Sequence, residues 1–512
     1  MKKLLVWTLV AALLCSVAGG VLAEDAKVKI SVAYPDNPTY PYSEDWAPYK
    51  YAADLANADV TWEVYPNTDY TTKLVTSLSA HTETDVMTNV NSSTNPFNQF
   101  AVNGALLPVS DYLEYLPNFT KFVEDFNIGE EIDNIYRQAD GKFYHLPLAY
   151  DSLIVNAGLL IRTDLMEKYG VKEIKTFDDL YEFLKMYKAD NPDSYPMTVY
   201  QALSNLFNFS LPCFGLSLGE GSSSGTQVLS WDYENKKYFA GATSDMYKEY
   251  LKYFNKLYKE GLLDPEFEKV AADNWTTKLA TGSAIASYGW FDQIGGIVLN
   301  ATDPNTSFTM LPPLEGPAGA YWQPNSRSRS GLALSASLAE REDFHEVLKA
   351  IDTMFFSDEA AKAFAIGLEG ETYNIVDGEI VYTDDIANDP NGVYKALQIK
   401  CGCGAWATLM KWEKKVQLTK YVPEFTEINN KVDEMGAFLD LPLIPKFDDL
   451  TQEDISLLIA NLSDEFTVST VAFITGEKDL DTEWDAYVAE MEAKGINELL
   501  DIYNKGLSQF DK

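Results

Sequence analysis

Seven aromatic side chains fall where the local sequence predicts loops. The flat face of such a ring covers the CH groups of a sugar, while amides, carboxylates or an arginine pair with the hydroxyls. The chain is rich in these rings, with 10 Trp, 31 Tyr and 26 Phe. We therefore predict a sugar-binding site that draws on these aromatic and polar residues: Trp46, Asn91, Tyr150, Asp151, Trp290, Tyr321, Trp322, Arg327, Glu369, Tyr373 and Trp406.

Each ring also has a structural interpretation, because amphipathic aromatic side chains are mostly buried in their own domain. We expect at least half of the seven rings to contact a ligand. Arg327 and Arg329 lie next to a predicted strand from Ser330 to Leu338. Their alternative partners are an acidic sugar and a nearby aspartate of the protein, and the aspartate is the commoner of the two.

One segment has the spacing of a hydrolase motif. Gly215 to Gly219 satisfies G-x-S-x-G, which requires a turn between a strand and a helix. Pro212 precedes this segment and a Gly/Ser run follows it, so neither flanking element is expected and we predict no catalytic residue. The main alternative is a secreted glycoside hydrolase, because 77 acidic residues supply carboxylate pairs by chance and their separation depends on the fold.

No phosphate-binding or dinucleotide-binding glycine pattern is present in the sequence, so no cofactor is predicted. A calcium loop around Asp389-Pro390-Asn391-Gly392 would take its first and twelfth ligands from Ala387 and Gln398. Neither residue is a carboxylate, and the calcium template fails. No metal is predicted.

The charge balance restricts the partners. The formal net charge is -37, and nucleic acids and anionic membranes require a basic surface that this composition lacks. A neutral or cationic partner is favoured over a polyanion, and most of the carboxylates are expected to serve solubility.

Residues 1–23 have the features of a secretory leader: Lys2-Lys3, an apolar run and a small-residue cleavage pattern that ends at Ala23. We predict cleavage before Glu24 and an extracytoplasmic location. An uncleaved anchor is the alternative, because Leu4 to Ala23 is about long enough to span a bilayer.

With 512 residues the chain is too long for one hydrophobic core, so two lobes are expected. Strands at 28–33, 60–64 and 85–90 and a helix at 70–80 alternate, which is typical of an α/β fold with a mostly parallel sheet. Further on, Thr176 with Asp179 marks the start of a helix, and the helical spacing of 484–503 is interrupted at Gly495.

The run from Gly141 to Gly170 resembles the hinge segment of the extracellular solute-binding proteins of ABC importers. The resemblance is to their LipO-like, oligosaccharide-binding members. It continues in the Gly261 to Phe267 segment and the Gly367 to Tyr373 turn. In the hinge segment the matching residues are Gly141, Lys142, Tyr144, Leu146, Pro147, Ile161, Arg162, Asp164, Leu165 and Gly170.

The resemblance implies a two-lobed, periplasmic-binding-protein-like fold in which hinge strands near residues 150 and 330 join the lobes. We assign 24–149 and 328–395 to the N-terminal lobe, and 150–327 and 396–512 to the C-terminal lobe. The expected function is that of a monomeric, non-enzymatic receptor that closes over a neutral, plant-derived oligosaccharide and delivers it to an ABC permease. A peptide-binding receptor of the same fold is the second alternative.

Overall fold

The computed structural model describes residues 26–94, 96–138, 140–200, 203–218, 227–323 and 325–510. The predicted leader and Gly219 of the G-x-S-x-G motif lie outside these ranges. The described strands are β1 (Val28–Asp36), β2 (Ala58–Pro66), β3 (Val86–Val90), β4 (Leu146–Tyr150), β5 (Ala157–Arg162), β6 (Met197–Val199), β7 (Ser230–Asp232), β8 (Lys237–Phe239), β9 (Ala286–Trp290), β10 (Phe308–Leu311), β11 (Ser328–Leu334), β12 (Tyr373–Val376), β13 (Glu379–Tyr382) and β14 (Lys411–Trp412).

The helices of the described ranges are given by their bounds. The α-helices are Ala47–Leu55, Tyr70–Ala80, Phe97–Val102, Pro117–Asp125, Gly129–Tyr136, Thr163–Tyr169, Phe177–Asp190, Leu203–Ser210, Asp245–Lys259, Ala272–Thr281, Ile294–Leu299, Phe344–Phe356, Asp358–Ile366, Asp384–Ala387, Val393–Cys401, Lys414–Leu418, Pro423–Glu434, Asp449–Thr475, Trp484–Ala493 and Ile496–Gly506. Short 3-10 segments span Val109–Tyr115, Leu211–Phe214, Gly241–Thr243, Phe291–Gln293, Ala336–Glu340 and Leu507–Phe510.

The first lobe is built on a six-stranded sheet in the order β14-β4-β11-β3-β1-β2. β1 pairs in parallel with β2 and β3, and β14 pairs in parallel with β4. β11 lies between β3 and β4 and is antiparallel to both. Leu332 and Leu334 of β11 enter one core and Ala333 enters the other, because neighbouring strand side chains point to opposite faces.

The second lobe is built on a four-stranded sheet in the order β10-β5-β9-β6. β6 pairs in parallel with β9, whereas β5 is antiparallel to both β9 and β10. Leu159 and Ile161 of β5 enter one core and Leu160 enters the other. The helix Asp449–Thr475 is long and apolar enough by composition to cross a membrane, yet several of its apolar side chains pack into the first of these cores.

Within the described chain, the backbone passes between the lobes three times. β4 leads through 151–156 into β5, and β10 leads through 312–327 into β11. After β14, residues 413–422 lead to the helix Pro423–Glu434, which packs in the second lobe. The first two passages lead into β5 and β11. Each of these strands is antiparallel to both of its neighbours in the sheet.

The predicted two-lobed α/β fold is confirmed. In each sheet all strands but one run in the same direction, and the exception is the strand that arrives from the other lobe. Thr176 caps the helix Phe177–Asp190 through reciprocal hydrogen bonds with Asp179. Gly495, with a φ of 100°, separates the last two α-helices. The crossing predicted after Gly141 consists of two strands with a break between them.

The packing of residues 396–412 indicates where the first lobe ends. Ala396, Leu397, Met410 and Trp412 belong to a core of the first lobe, whereas the boundary set from the sequence at residue 395 assigns them to the second. β14 also pairs with β4 of the first sheet. We propose that the first lobe extends to Trp412, and the remaining boundaries stay predictions.

Gly331 of β11 sets a close approach between β11 and β4. A β-carbon at this position would lie 1.9 Å from the carbonyl oxygen of Leu146, and this oxygen belongs to the strand backbone. We predict that Gly331→Ala destabilises the protein by about 1–3 kcal/mol or more, measured by urea unfolding. The control is Gly296→Ala, where a β-carbon meets nothing within 4 Å. Equal stability of the two variants would contradict this account.

Candidate ligand-binding site

A cavity of about 350 Å³ lies where the three passages between the lobes meet. Its lining comes from the end of β4, from the passage into β5, from the segment before β11 and from the residues that follow β14. The volume falls in the usual range for a small-molecule site, about 300–1,000 Å³. Both lobes therefore contribute to one pocket.

The first-lobe wall of the cavity is aromatic. Tyr150, the last residue of β4, lies with its ring centroid 5.3 Å from Trp412 and 6.5 Å from Trp406. The rings of Trp406 and Trp412 are 5.6 Å apart. Trp412 is 6% exposed, whereas Trp406 is 37% exposed. Trp406 thus keeps a free face while its neighbours anchor the wall in the core.

The second-lobe wall is also aromatic. Trp290 ends β9, and Phe209 lies between it and Trp322, with ring centroids 6.2 and 5.8 Å away, respectively. The Trp322 backbone N–H donates to the carbonyl of Ala437 at 2.8 Å, which fixes the segment before β11. Two aromatic walls from opposite lobes are suited to hold a flat, weakly polar ring between them.

A tyrosine pair separates this cavity from a neighbouring one. Tyr394 and Tyr421 stack with centroids 5.5 Å apart and lie in the lining of both cavities. The neighbouring cavity, of about 880 Å³, also takes its lining from both lobes. Its charged side chains are Asp292, Lys395, Lys420 and Glu424. The two cavities therefore lie side by side and share the tyrosine pair as a common wall.

Amide side chains supply most of the polar lining of the first cavity. Gln417 Oε1 accepts a hydrogen bond from the Lys420 ammonium at 2.8 Å. Since an ammonium can only donate, this bond fixes the amide so that Gln417 Nε2 carries its N–H groups away from Lys420. Gln417 Nε2 and Asn208 Oδ1 are buried and have no protein partner among the described residues. Asn208 and Gln417 lie in the lining, so a ligand acceptor and a ligand donor would satisfy them.

Burial changes the protonation behaviour of two side chains here. Burial lowers the pKa of Lys420 to about 8, and its ammonium lies over the rings of Tyr394 and Trp412. Burial raises the pKa of Tyr150 to about 12 against the opposing effect of the nearby Arg329 charge. Tyr150 therefore keeps its phenol proton at physiological pH and can donate it to a hydroxyl.

The first cavity lacks the groups that most hydrolytic mechanisms need. Its described lining residues include no Asp, Glu, His, Ser or Cys. Glycoside hydrolysis requires a carboxylate pair across the scissile bond. Among the residues the structure describes, no three or more His, Cys, Asp or Glu side chains are grouped so as to hold a metal ion. The cavity is thus equipped to hold a ligand through rings and amides.

Four of the predicted site residues line this cavity: Tyr150, Trp290, Trp322 and Trp406. Their contact with a ligand stays a prediction. The structure brings these four together from four separate stretches of the chain. Tyr150 and Trp290 each end a strand, as expected for side chains that meet at a cleft.

Three other predicted residues have partners within the protein. Trp46 is 3% exposed and lies so close to Gly402 that a β-carbon there would be 2.3 Å from its ring. Arg327 donates to the backbone carbonyls of Phe126, Asp151 and Asn127. The Asp151 carboxylate accepts from the backbone N–H of Lys414. These contacts hold the passages in place.

The last four predicted residues lie away from the cavity. Asn91 accepts hydrogen bonds from the backbone and hydroxyl of Ser93. Tyr321 lines a separate pocket of about 470 Å³. Tyr373 is buried in a core of the first lobe, and Glu369 is exposed beside it on the preceding turn.

Sequence reasoning missed several side chains of the cavity. Asn208 lies on the short helix Leu203–Ser210, and Gln417 and Tyr421 follow β14, a strand of two residues. A strand of two residues is too short to show a hydrophobic periodicity, so sequence reasoning did not predict the third passage. The one available signal was the concentration of Trp and Tyr between 394 and 421, of which only Trp406 was selected.

Similarity to known proteins identifies the family of this chain. A family profile described as "Bacterial extracellular solute-binding protein" matches residues 31–362. The chain belongs to that family. Lipoprotein LipO of Bacillus subtilis is 26% identical to this solute-binding protein over 310 residues, a match that spans 57% of each chain.

Two further relatives extend the likeness to nearly the whole chain. The fructooligosaccharide ABC transporter substrate-binding protein FusA of Streptococcus pneumoniae is 24% identical over 496 residues, covering 88% of this chain and 84% of FusA. The structure of an HMO-binding, ABC-transporter-associated solute-binding protein from Bifidobacterium longum infantis matches with a TM-score of 0.74 and 19% identity, covering 95% of this chain and all of that chain (100%). At this identity the structural likeness establishes the fold.

The buried Lys420 gives the solute-binding protein a distinctive pH dependence. Its pKa is about 8 in the fold and about 10.5 when unfolded. Between these values the unfolded chain binds more protons, so this group makes stability rise with pH, by up to about 3 kcal/mol. Below pH 8 the cost of the buried charge is fully present.

We therefore predict that wild type gains stability relative to Lys420→Met as the pH is raised from about 8 to 10. Chemical unfolding at several pH values measures the difference. Loss of the bond to Gln417 adds an offset that does not vary with pH. Lys505→Met, at an exposed position on the last α-helix, is the control. A constant difference between wild type and Lys420→Met would contradict the assignment.

Proposed function

We propose that this solute-binding protein captures an oligosaccharide between its two lobes and delivers it to the permease of an ABC transporter. The proposal rests on one observation above all, namely a cavity at the lobe junction that combines two aromatic walls with unpaired amide groups. The names of relatives support the same substrate class, since FusA is named for fructooligosaccharides. YtcQ of Bacillus subtilis is named for polygalacturonan and rhamnogalacturonan.

The composition of the cavity favours a sugar over a peptide. A peptide receptor of this fold is expected to have aromatic pockets with few partners for hydroxyls. Here five amides, from Asn156, Asn208, Gln323, Asn325 and Gln417, line the cavity together with the rings. Since a sugar hydroxyl both donates and accepts hydrogen bonds, a mixed set of amide donors and acceptors suits it.

Hydrolysis of the bound sugar is the weaker candidate. The described lining of the first cavity holds no carboxylate pair, and the neighbouring cavity contributes only Asp292 and Glu424. Glu424 is engaged with the Thr309 hydroxyl, which donates to it. We propose that the protein acts by binding alone, as a monomer outside the cytoplasm.

Closure of the lobes is the proposed mechanism of capture. The passages at 151–156, 312–327 and 413–422 are short compared with the lobes they join, so small changes there swing the walls together. A ligand that contacts both walls binds the closed form better than the open one. It therefore shifts the population toward the closed form.

We predict that titration with a panel of plant oligosaccharides yields a saturable heat for at least one of them, measured by isothermal calorimetry. The same ligand is expected to reduce the radius of gyration in X-ray scattering. Chromatography of the ligand after long incubation should show it uncut. Release of shorter sugars would instead favour the glycoside hydrolase, and an unchanged scattering profile with every sugar would count against capture by closure.

Substitution of Trp406 or Trp46 distinguishes an effect on ligand binding from an effect on folding. Trp406→Ala is expected to weaken affinity about tenfold or more, with little loss of stability because Trp406 is partly exposed. Trp46→Ala is expected to cost about 3–5 kcal/mol of stability while the folded fraction keeps its affinity. Calorimetry and thermal unfolding of both variants measure the two effects. The reverse pattern would show that Trp46, not Trp406, serves the ligand.

A further inference from the structure

Arg329 differs from every other arginine of this chain. The sequence contains five: Arg137, Arg162, Arg327, Arg329 and Arg341. Four of them form ion pairs, with Asp133, Asp164, Glu131 and the pair Asp85 and Asp343, respectively. Around Arg329, in contrast, no Asp or Glu of the described chain lies within 4.0 Å. Among the described residues its guanidinium therefore has no ion-pair partner.

Two rings of the cavity hold this guanidinium in place. Its central carbon lies 5.1 Å from the ring centroid of Trp406 and 5.7 Å from that of Tyr150. Stacking on aromatic faces occupies the plane of a guanidinium and leaves the N–H groups at its edge free. The side chain is exposed and lies in the lining of the first cavity. Its hydrogen-bonding edge is thus available to a ligand.

The charge in this cavity is opposite in sign to the net charge of the chain. Acidic residues outnumber basic ones by 77 to 40, yet Arg329 is the one charged side chain in the described lining. The net charge of -37 repels anions at a distance. At physiological ionic strength this repulsion is screened beyond about 8 Å. Inside the cavity the nearby Arg329 cation therefore determines whether an anion is attracted.

Closure of the lobes makes the unpaired charge costly. When the walls come together, Arg329 loses water, and a buried charge without a partner destabilises the closed form. A neutral sugar supplies only hydroxyl oxygens, whereas an anionic group neutralises the charge and can accept two parallel N–H bonds. We infer that the cargo presents an anionic group to Arg329, either the carboxylate of a uronic acid or a sulfate ester.

This inference rests on the proposed function and narrows its substrate class. It replaces the neutral cargo expected from overall composition with one that carries at least one acidic unit in this cavity. The net negative charge of the whole surface disfavours an anionic ligand, whereas the Arg329 charge at the cavity wall favours one. The Arg329 contact determines the affinity, because its guanidinium touches the ligand.

Two matched pairs of ligands test it by calorimetry. One pair is a galacturonic acid oligosaccharide and the same compound with its carboxylates reduced to alcohols. The other is a sulfated galactose oligosaccharide and its desulfated form. Wild type, Arg329→Gln, Arg329→Lys and the charge-matched control Lys505→Gln are titrated with each. Thermal unfolding of the four proteins shows that each is folded.

We expect wild type to bind the acidic member of one pair about tenfold to a hundredfold more tightly than its neutral partner. Added salt should weaken this preference. Arg329→Gln should abolish it, Arg329→Lys should keep part of it, and Lys505→Gln should leave it intact. Preference for the uronic acid or for the sulfate identifies the source of the anion.

Two results would overturn the inference. In the first, the neutral members or other neutral oligosaccharides bind as tightly as the acidic ones, and the proposed function survives without the acidic cargo. In the second, Arg329→Gln weakens acidic and neutral members equally, which assigns Arg329 to hydroxyl binding. If no sugar of any kind binds or compacts the protein, the proposed function falls as well.

Discussion

The backbone pairing of two crossing strands is the constraint on which the rest of this structure depends. β5 lies between β10 and β9, and β11 lies between β3 and β4, so each is hydrogen-bonded on both edges. Pulling either one out would leave two neighbouring strands without partners, which buried backbone groups do not tolerate. Each crossing is therefore anchored in the sheet that it enters. The cavity lies among the residues that link the two sheets.

This placement explains why the same rings serve the core and the cavity. Tyr150 and Trp412 bury most of their surface in the first lobe, and Trp322 does so in the second. Each ring nevertheless lies at the end of a strand or in a passage, where the sheet stops and the cleft begins. Burial fixes the orientation of these rings before any ligand arrives. Preorganised walls lose little conformational entropy on binding, so more of the contact energy contributes to affinity.

More of the fold than of the binding site could be predicted from the sequence. Strand alternation, the Thr176 cap and the run after Gly141 are local signals, and they specified two α/β lobes with a crossing. The site depends on packing that is not local. Trp46 has the same loop-like setting as Trp406, but Gly402, more than 350 positions away, covers its ring. Arg327 and Arg329 are two residues apart, yet the first binds backbone carbonyls and the second faces the cavity. No pattern within a short window separates these cases.

The polar side of the cavity couples binding to stability. Lys420 is buried at the cost of a lowered pKa, and its ammonium can only donate, which turns the Gln417 amide so that its N–H groups lack a protein partner. Asn208 of the second lobe contributes an unpaired acceptor. Unpaired buried groups destabilise a fold, so the wall of the cavity is a less stable region in the empty protein. A ligand that satisfies both amides removes this cost. The unpaired groups therefore favour the loaded protein over the empty one.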